Sequence, residues 1–189
     1  GGYDFPVDPE LSATDARLYW TPASAPAVTA FVSTIPDQHM PPIRLDRIIL
    51  EARRGQRGRH WACLETGLVI VSDDPLISDK PLGVLLPLGS DWSIRVDAAQ
   101  RLRAVWHGRK PRSWFTDQRR HRIGYALRTT DAKQGGARLR DIAVTYFGAR
   151  RVAAEPWKTS ALKAQVARLA GYGRVLTGEG YRQLLRGKT

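Results

Sequence analysis

The chain has 189 residues and a mass of 21.1 kDa; 42% of its residues are apolar, and 30 Lys plus Arg oppose 18 Asp plus Glu for a net charge of +12. That apolar content excludes global disorder. The single cysteine, Cys63, excludes an internal disulfide framework and any zinc site built on paired thiolates, and it fits a reducing compartment.

Residues 1–42 hold seven of the twelve prolines and little periodicity. They read as an extended Pro-rich docking segment anchored by Phe5, Leu18, Tyr19 and Trp20, with a single helical turn over Asp15–Trp20. The opening Gly1-Gly2-Tyr3-Asp4, without an initiator Met, suits a piece of a longer product. The longest uncharged run, 18–36, is interrupted by Pro22, Pro26 and Pro36, so no membrane span is expected. Residues 43–96 read as a small β-rich region. Strand-length apolar runs at Ile43–Ala52, Trp61–Glu65 and Leu68–Ser72 are separated by Gly55, Gly58 and Gly67. Leu82–Leu88, bracketed by Pro81 and Pro87, reads as a further buried or edge strand.

From 97 to 189 the period changes to about 3.6, the mark of helices. Asp97 caps a helix with Ala98, Leu102, Val105 and Trp106 on one face, ended by Gly108. Arg109 to Ser113 is a basic linker. Thr116 or Asp117 caps a second helix to about Thr130, with Ile123, Ala126 and Leu127 inward. After the Gly135-Gly136 turn, Leu139, Ile142, Ala143, Tyr146 and Phe147 define a short amphipathic helix ended by Gly148. A turn over Ala149–Ala154 leads to a longer helix starting between Pro156 and Ser160, with Thr159 the better cap. Leu162, Val166, Leu169 and Leu176 face inward, and the glycines at 171, 173, 178 and 180 fray its far end before a last turn over Tyr181–Arg186. The fold class is α+β: a small β-rich N-terminal region followed by a helical C-terminal region.

Short helix, tight turn and long basic helix in that order outline a helix-turn-helix. Charge supports it: residues 1–90 carry 8 basic and 11 acidic groups, residues 91–189 carry 22 and 7. The usual partner of so lopsided a half is a polyanion. On a helical wheel the outward positions are Ser160, Lys163, Ala164, Ala167, Arg168, Gly171 and Arg174. Small residues there admit a backbone closely, and an Arg reaching guanine bidentately contributes about 1–3 kcal/mol of discrimination. A plain three-helix bundle with a solvated basic face has the same outline; the charge of the half-chain favours double-stranded DNA. RNA ranks lower for want of an aromatic stacking pattern. The hairpin tip Arg53-Arg54-Gly55-Gln56-Arg57-Gly58-Arg59 reads as a soluble loop rather than a phosphate clamp.

Enzyme chemistry finds no support. His39, His60, His107 and His121 lack metal-ligand spacing, Cys63 lacks a nucleophile motif, and Asp73-Asp74 before Pro75 reads as a turn. Neither Gly171-Tyr172-Gly173 nor Gly178-Glu179-Gly180 follows a strand and opens a helix, so neither is a phosphate loop. No cofactor and no metal is expected.

The run from Ile123 to Gly148, the segment Trp157-Lys158-Thr159-Ser160 with Leu162, Val166 and Leu169, and Gly180-Tyr181-Arg182-Gln183-Leu184-Leu185-Arg186 together resemble a proteobacterial family. It is the DNA-binding domain of RovC-type transcription factors of type VI secretion, formerly a domain of unknown function. Pro81 to Leu88 and the Phe5-to-Trp20 opening are also similar to its members. The resemblance implies a helix-turn-helix variant. It further implies a cytoplasmic, nucleoid-associated regulator of mobile elements or secretion loci, of the FseA and QseM kind. Some such members activate promoters of integrative and conjugative elements; others are antiactivators that bind another transcriptional regulator. On this resemblance Trp157 to Ser160 begin the recognition element. Lys158, Thr159, Ser160, Lys163, Arg168 and Arg174 are expected to face the duplex, with Arg138, Arg140, Arg150 and Arg151 on its backbone. Gly171-Tyr172-Gly173 departs from the family, which often has basic residues before a single Gly. The expected function is a DNA-binding transcriptional activator; the rival is a protein-binding antiactivator module. A homo-oligomer is compatible with both.

Overall fold

A computed structural model describes residues 5–6, 8, 10–11, 15–36, 39–55, 58–76, 80–113 and 115–187. The chain divides into two units, one of residues 1–112 with 182–189 and one of residues 113–181.

The first unit is built on a five-stranded sheet. Its strands are β1 (Thr29–Thr34), β2 (Ile49–Arg54), β3 (His60–Leu64), β4 (Val69–Ser72) and β5 (Leu82–Leu85), in the order β2-β3-β4-β1-β5. β1 runs parallel to β4, and the other neighbours are antiparallel. Alternation along β3 and β4 splits the core into two layers. Ala62, Leu64 and Ile70 face one side with Leu45, Leu82 and Leu102, whereas Trp61, Cys63, Val69 and Val71 face the other beneath Tyr19 and Phe5. Burial on both faces accounts for the continuous apolar runs of β3 and β4. Gly67, at φ +77°, makes the tight turn between them.

Several expectations change here. Residues 1–42 are not a docking segment throughout, because β1 lies inside the sheet; Pro22, Pro26 and Pro36 flank this strand without entering it. Asp15–Trp20 does not form a helical turn. Ile43 to Ile48 precede β2 rather than belonging to it, and β5 ends at Leu85 as an edge. The first helix, α1 (Trp92–Trp106), begins after Asp91, not Asp97, and belongs to the sheet unit. Ala98 and Leu102 are its buried residues. The Arg101 guanidinium donates to the Ala27 carbonyl, and Arg95 reaches the Pro22 carbonyl at 3.1 Å.

The second unit holds α2 (Asp117–Gln134), α3 (Leu139–Phe147), α4 (Ala149–Ala153), α5 (Ala161–Val175) and a π-helical turn (Leu176–Gly180). The last helix, α6 (Tyr181–Leu185), runs back into the first unit, where the Ala27 N–H donates to the Leu185 carbonyl. Ile142, Ala143, Val152, Leu162 and Val166 form the helical core, ringed by Leu139, Tyr146, Phe147 and Trp157. α3 matches its expected bounds, and Gly148 ends it at φ +85°. α2 turns Ala126, Thr129 and Thr130 inward, while Leu127 is 38% exposed. Both threonines satisfy their hydroxyls on the preceding turn, Thr129 at the Tyr125 carbonyl (2.7 Å) and Thr130 at the Ala126 carbonyl (3.1 Å).

Candidate nucleic-acid interface

The expected tight turn between α3 and the long helix is a longer connection. Gly148 opens it, α4 occupies the stretch expected to be a turn, and residues 154–160 complete it. α4 packs Val152 into the core and leaves Arg150 and Arg151 exposed. The Arg151 guanidinium lies 5.8 Å from the centre of the Phe147 ring. Arg138 and Arg140 are exposed at the start of α3, where the Arg138 N–H donates to the Asp141 carboxylate at 3.1 Å.

The start of α5 is fixed by its cap, and the cap is Ser160 rather than Thr159 or Pro156. The Ser160 hydroxyl accepts from the Leu162 and Lys163 N–H groups at 3.1 and 3.5 Å and donates to the Glu155 carboxylate at 2.6 Å. It is 4% exposed. Ser160 is therefore removed from the set that faces a duplex; its oxygen is consumed by the helix end it closes. Trp157 packs on the core, which leaves Lys158 and Thr159 exposed in the turn ahead of the helix. The Thr159 hydroxyl reaches the Pro156 carbonyl at 3.4 Å, and the Lys163 ammonium donates to the Lys158 carbonyl at 3.3 Å.

Along α5, Leu162, Val166 and Gly173 are buried, and the opposite arc exposes Ala161, Ala164, Ala167, Arg168 and Val175. Arg174 is exposed at the edge of this arc, and Lys163, half-buried, lies beyond it. Gln165 and Ala161, absent from the expected outward set, are exposed as well. Residues 156–178 contain no Asp or Glu. Among the described residues, no carboxylate lies within ion-pair distance of Arg138, Arg140, Arg150, Arg151, Lys158, Lys163, Arg168 or Arg174. The whole unit carries 13 basic and 5 acidic residues.

The glycines expected to fray α5 have another role. The helix runs through Gly171 and Gly173, and a Cβ on Gly173 would stand 2.1 Å from the Thr130 hydroxyl and 2.4 Å from the Ala126 carbonyl oxygen. Gly173 is thus the point where α5 and α2 come closest, and the Arg122 guanidinium stacks 5.0 Å from the Tyr172 ring beside it. The departure at Gly171-Tyr172-Gly173 is in this respect a packing feature. The sequence signal was present, a lone Gly amid inward-facing apolar residues, but it also fits a breaker.

A helix face that carries Arg168 and Arg174 without carboxylates, beside the exposed Lys158, is suited to a polyanion. The family model for the DNA-binding domain of the type VI secretion transcription factor RovC matches residues 85–186, slightly more than half the chain. The chain belongs to this family. It is therefore a transcription factor DNA-binding domain, and the family is not one of enzymes. No curated protein matches the chain. Among the described residues, no group of three His, Cys, Asp or Glu is placed to hold a metal, and no helix is long and apolar enough to cross a membrane.

Proposed function

We propose that the chain is a transcriptional activator acting in the cytoplasm on nucleoid DNA, at promoters of an integrative and conjugative element or a secretion locus. α5 enters the major groove. Lys158, Thr159, Lys163, Arg168 and Arg174 face the duplex, and Arg138, Arg140, Arg150 and Arg151 hold its backbone. The observation that carries this reading is that none of these cations has a carboxylate within ion-pair distance among the described residues, and that the stretch 156–178 holding Lys158, Lys163, Arg168 and Arg174 contains no Asp or Glu. Small side chains at Ala164, Ala167 and Gly171 let the helix backbone approach the bases.

Binding of the full chain to duplex DNA from upstream of the host element tests it. About six phosphate contacts give a log–log salt slope of roughly −5. A flat response contradicts the reading. The double variant Lys163→Gln/Arg168→Gln is expected to weaken binding at unchanged helicity.

A second reading draws on the same arc. Ala161, Ala164 and Ala167 with Val175, which is 61% exposed, also suit a partner helix, as an antiactivator of another transcriptional regulator would need. Capture of such a regulator that survives high salt, and is lost in Ala167→Trp while DNA binding persists, favours this second reading.

A further inference from the structure

The first unit contains a cleft of about 340 Å³ that none of the side chains proposed to face DNA lines. It lies between α1 and the edge of the sheet formed by β5. Its floor is aliphatic, made by Val32 of β1 with Leu82 and Val84 of β5. Its helical wall is the stripe Ala99, Arg103 and Trp106, spaced i, i+4 and i+7 on one face of α1. The hollow has a simple origin. At Ala99 the helix offers a methyl group where a Leu would reach the strands, and β5 is the last strand, so no further neighbour fills the gap. Trp106 remains 39% exposed at the mouth.

The polar side chains of this lining are Gln100 and Arg103, both on the α1 wall. Gln100 and Arg103, three residues apart on α1, are both exposed, and no carboxylate pairs with Arg103 among the described residues. An apolar interior of this size with a cationic rim excludes sugars and nucleotides, whose donors and acceptors would go unpaired inside. It suits a tail with one anionic end.

We propose that this cleft binds a medium-chain carboxylate, with its aliphatic tail along Val32, Val84 and Trp106 and its head at Arg103 and Gln100. At roughly 30 Å³ for each water-sized group, the volume takes a chain of about ten carbons. The site gives the sheet unit a small-molecule input, and its helical wall, α1, lies within the stretch 85–186 that the DNA-binding family model covers.

The test is calorimetric titration of the full chain with decanoate below its micelle concentration, alongside decanol and decyltrimethylammonium. Trp106→Phe identifies the fluorescence change that reports the cleft. Decanoate is expected to bind saturably at one site and to quench or shift Trp106. Arg103→Gln weakens decanoate about three- to fivefold, the magnitude of an exposed ion pair, and leaves decanol unchanged. Ala99→Trp fills the cleft and abolishes binding of both while retaining a cooperative melt; Val84→Phe carries the same expectation if Ala99→Trp does not fold. The proposal is overturned if decanoate does not bind saturably or if the cationic amphiphile binds as tightly. It is equally overturned if folded filling variants bind as before, or if the cleft is occupied by a second copy of the chain, seen as a dimer in sedimentation that Val84→Phe dissociates.

Discussion

The two units differ in which of their cations have a carboxylate partner. In the sheet unit Arg44, Arg53 and Arg59 are paired with Asp46, Glu51 and Asp73 at 3.2, 2.6 and 2.7 Å. Arg53 and Arg59 also lie over aromatic rings, and Arg95 and Arg101 are pinned to loop carbonyls. In the helical unit no carboxylate among the described residues pairs with Lys163, Arg168 or Arg174 of α5, although the Lys163 ammonium donates to the Lys158 carbonyl at 3.3 Å and Arg119, Arg122 and Arg151 lie over aromatic rings; Arg120 pairs with Asp117 at 3.8 Å at the start of α2. A count of basic residues does not distinguish these situations; pairing does. Arginines already satisfied within the fold have little to gain from a phosphate, whereas unpaired ones on a carboxylate-free face gain a partner and release counterions.

The sharpest structural contrast lies within one helix. Gly173→Ala forces a methyl group against Thr130 and the Ala126 carbonyl, and is expected to cost about 3 kcal/mol in urea unfolding. Gly171→Ala meets nothing within 4 Å and is expected to stabilise the protein by about 0.5–1 kcal/mol. Equal effects at the two positions would contradict the close crossing of α2 and α5.

Next in size is the comparison of affinities. Arg168→Gln is expected to cost about 1–3 kcal/mol of DNA binding in titrations against the promoter duplex, whereas Arg59→Gln, which breaks a pair with Asp73, leaves affinity nearly unchanged. Equal losses would erase the distinction between paired and unpaired cations.

Ser160→Ala removes the α5 cap and leaves Glu155 without its donor. It should lower stability by about 1 kcal/mol, whereas Thr159→Ala should leave the melting midpoint nearly where it was. The reverse ranking would move the helix start.

The smallest effect is pH-dependent and belongs to the sheet unit. The Thr34 backbone N–H, donating to the Asp74 carboxylate at 2.8 Å, is the leading reason that this carboxyl titrates below the usual range, with Ser33 donating to the same oxygen. Its stabilisation is present above the unfolded-state value and is lost as pH falls through the lowered folded-state value. Asp74→Asn is therefore expected to destabilise the sheet unit at pH 7, by roughly 1 kcal/mol or less at this partly exposed site. The difference should vanish in strong acid; a difference that persists there would place its origin elsewhere.

The parts of the molecule that the sequence made legible are those where one signal dominates. α3 carries five apolar residues at helical spacing and a glycine able to take positive φ, and its bounds follow directly. β3 and β4 are short apolar runs between turn residues. Other parts were hidden where signals compete. β1 lies between prolines that dominate its window. Asp97 is the residue type that caps helices, yet α1 starts six residues earlier, after Asp91, whose side chain makes no capping bond. The inner face of α2 is made of Ala126, Thr129 and Thr130, whose polarity conceals their burial and makes Leu127 look like the inward residue. Within the candidate interface, the exposure of Arg168 and Arg174 could be read from the wheel, but the half-burial of Lys163 and the capping role of Ser160 could not, since a capping hydroxyl and a duplex-facing hydroxyl look the same until the Glu155 partner is seen.

The most direct test compares the salt dependence of DNA binding in two triple variants of the full chain. Replacing Lys163, Arg168 and Arg174 with Gln is expected to make the log–log slope shallower by up to about 3, roughly 0.9 for each lost phosphate contact. Replacing Arg44, Arg53 and Arg59 is expected to leave the slope as it is. A slope that falls in the sheet-unit variant and holds in the helical-unit variant would contradict the assignment of DNA reading to α5.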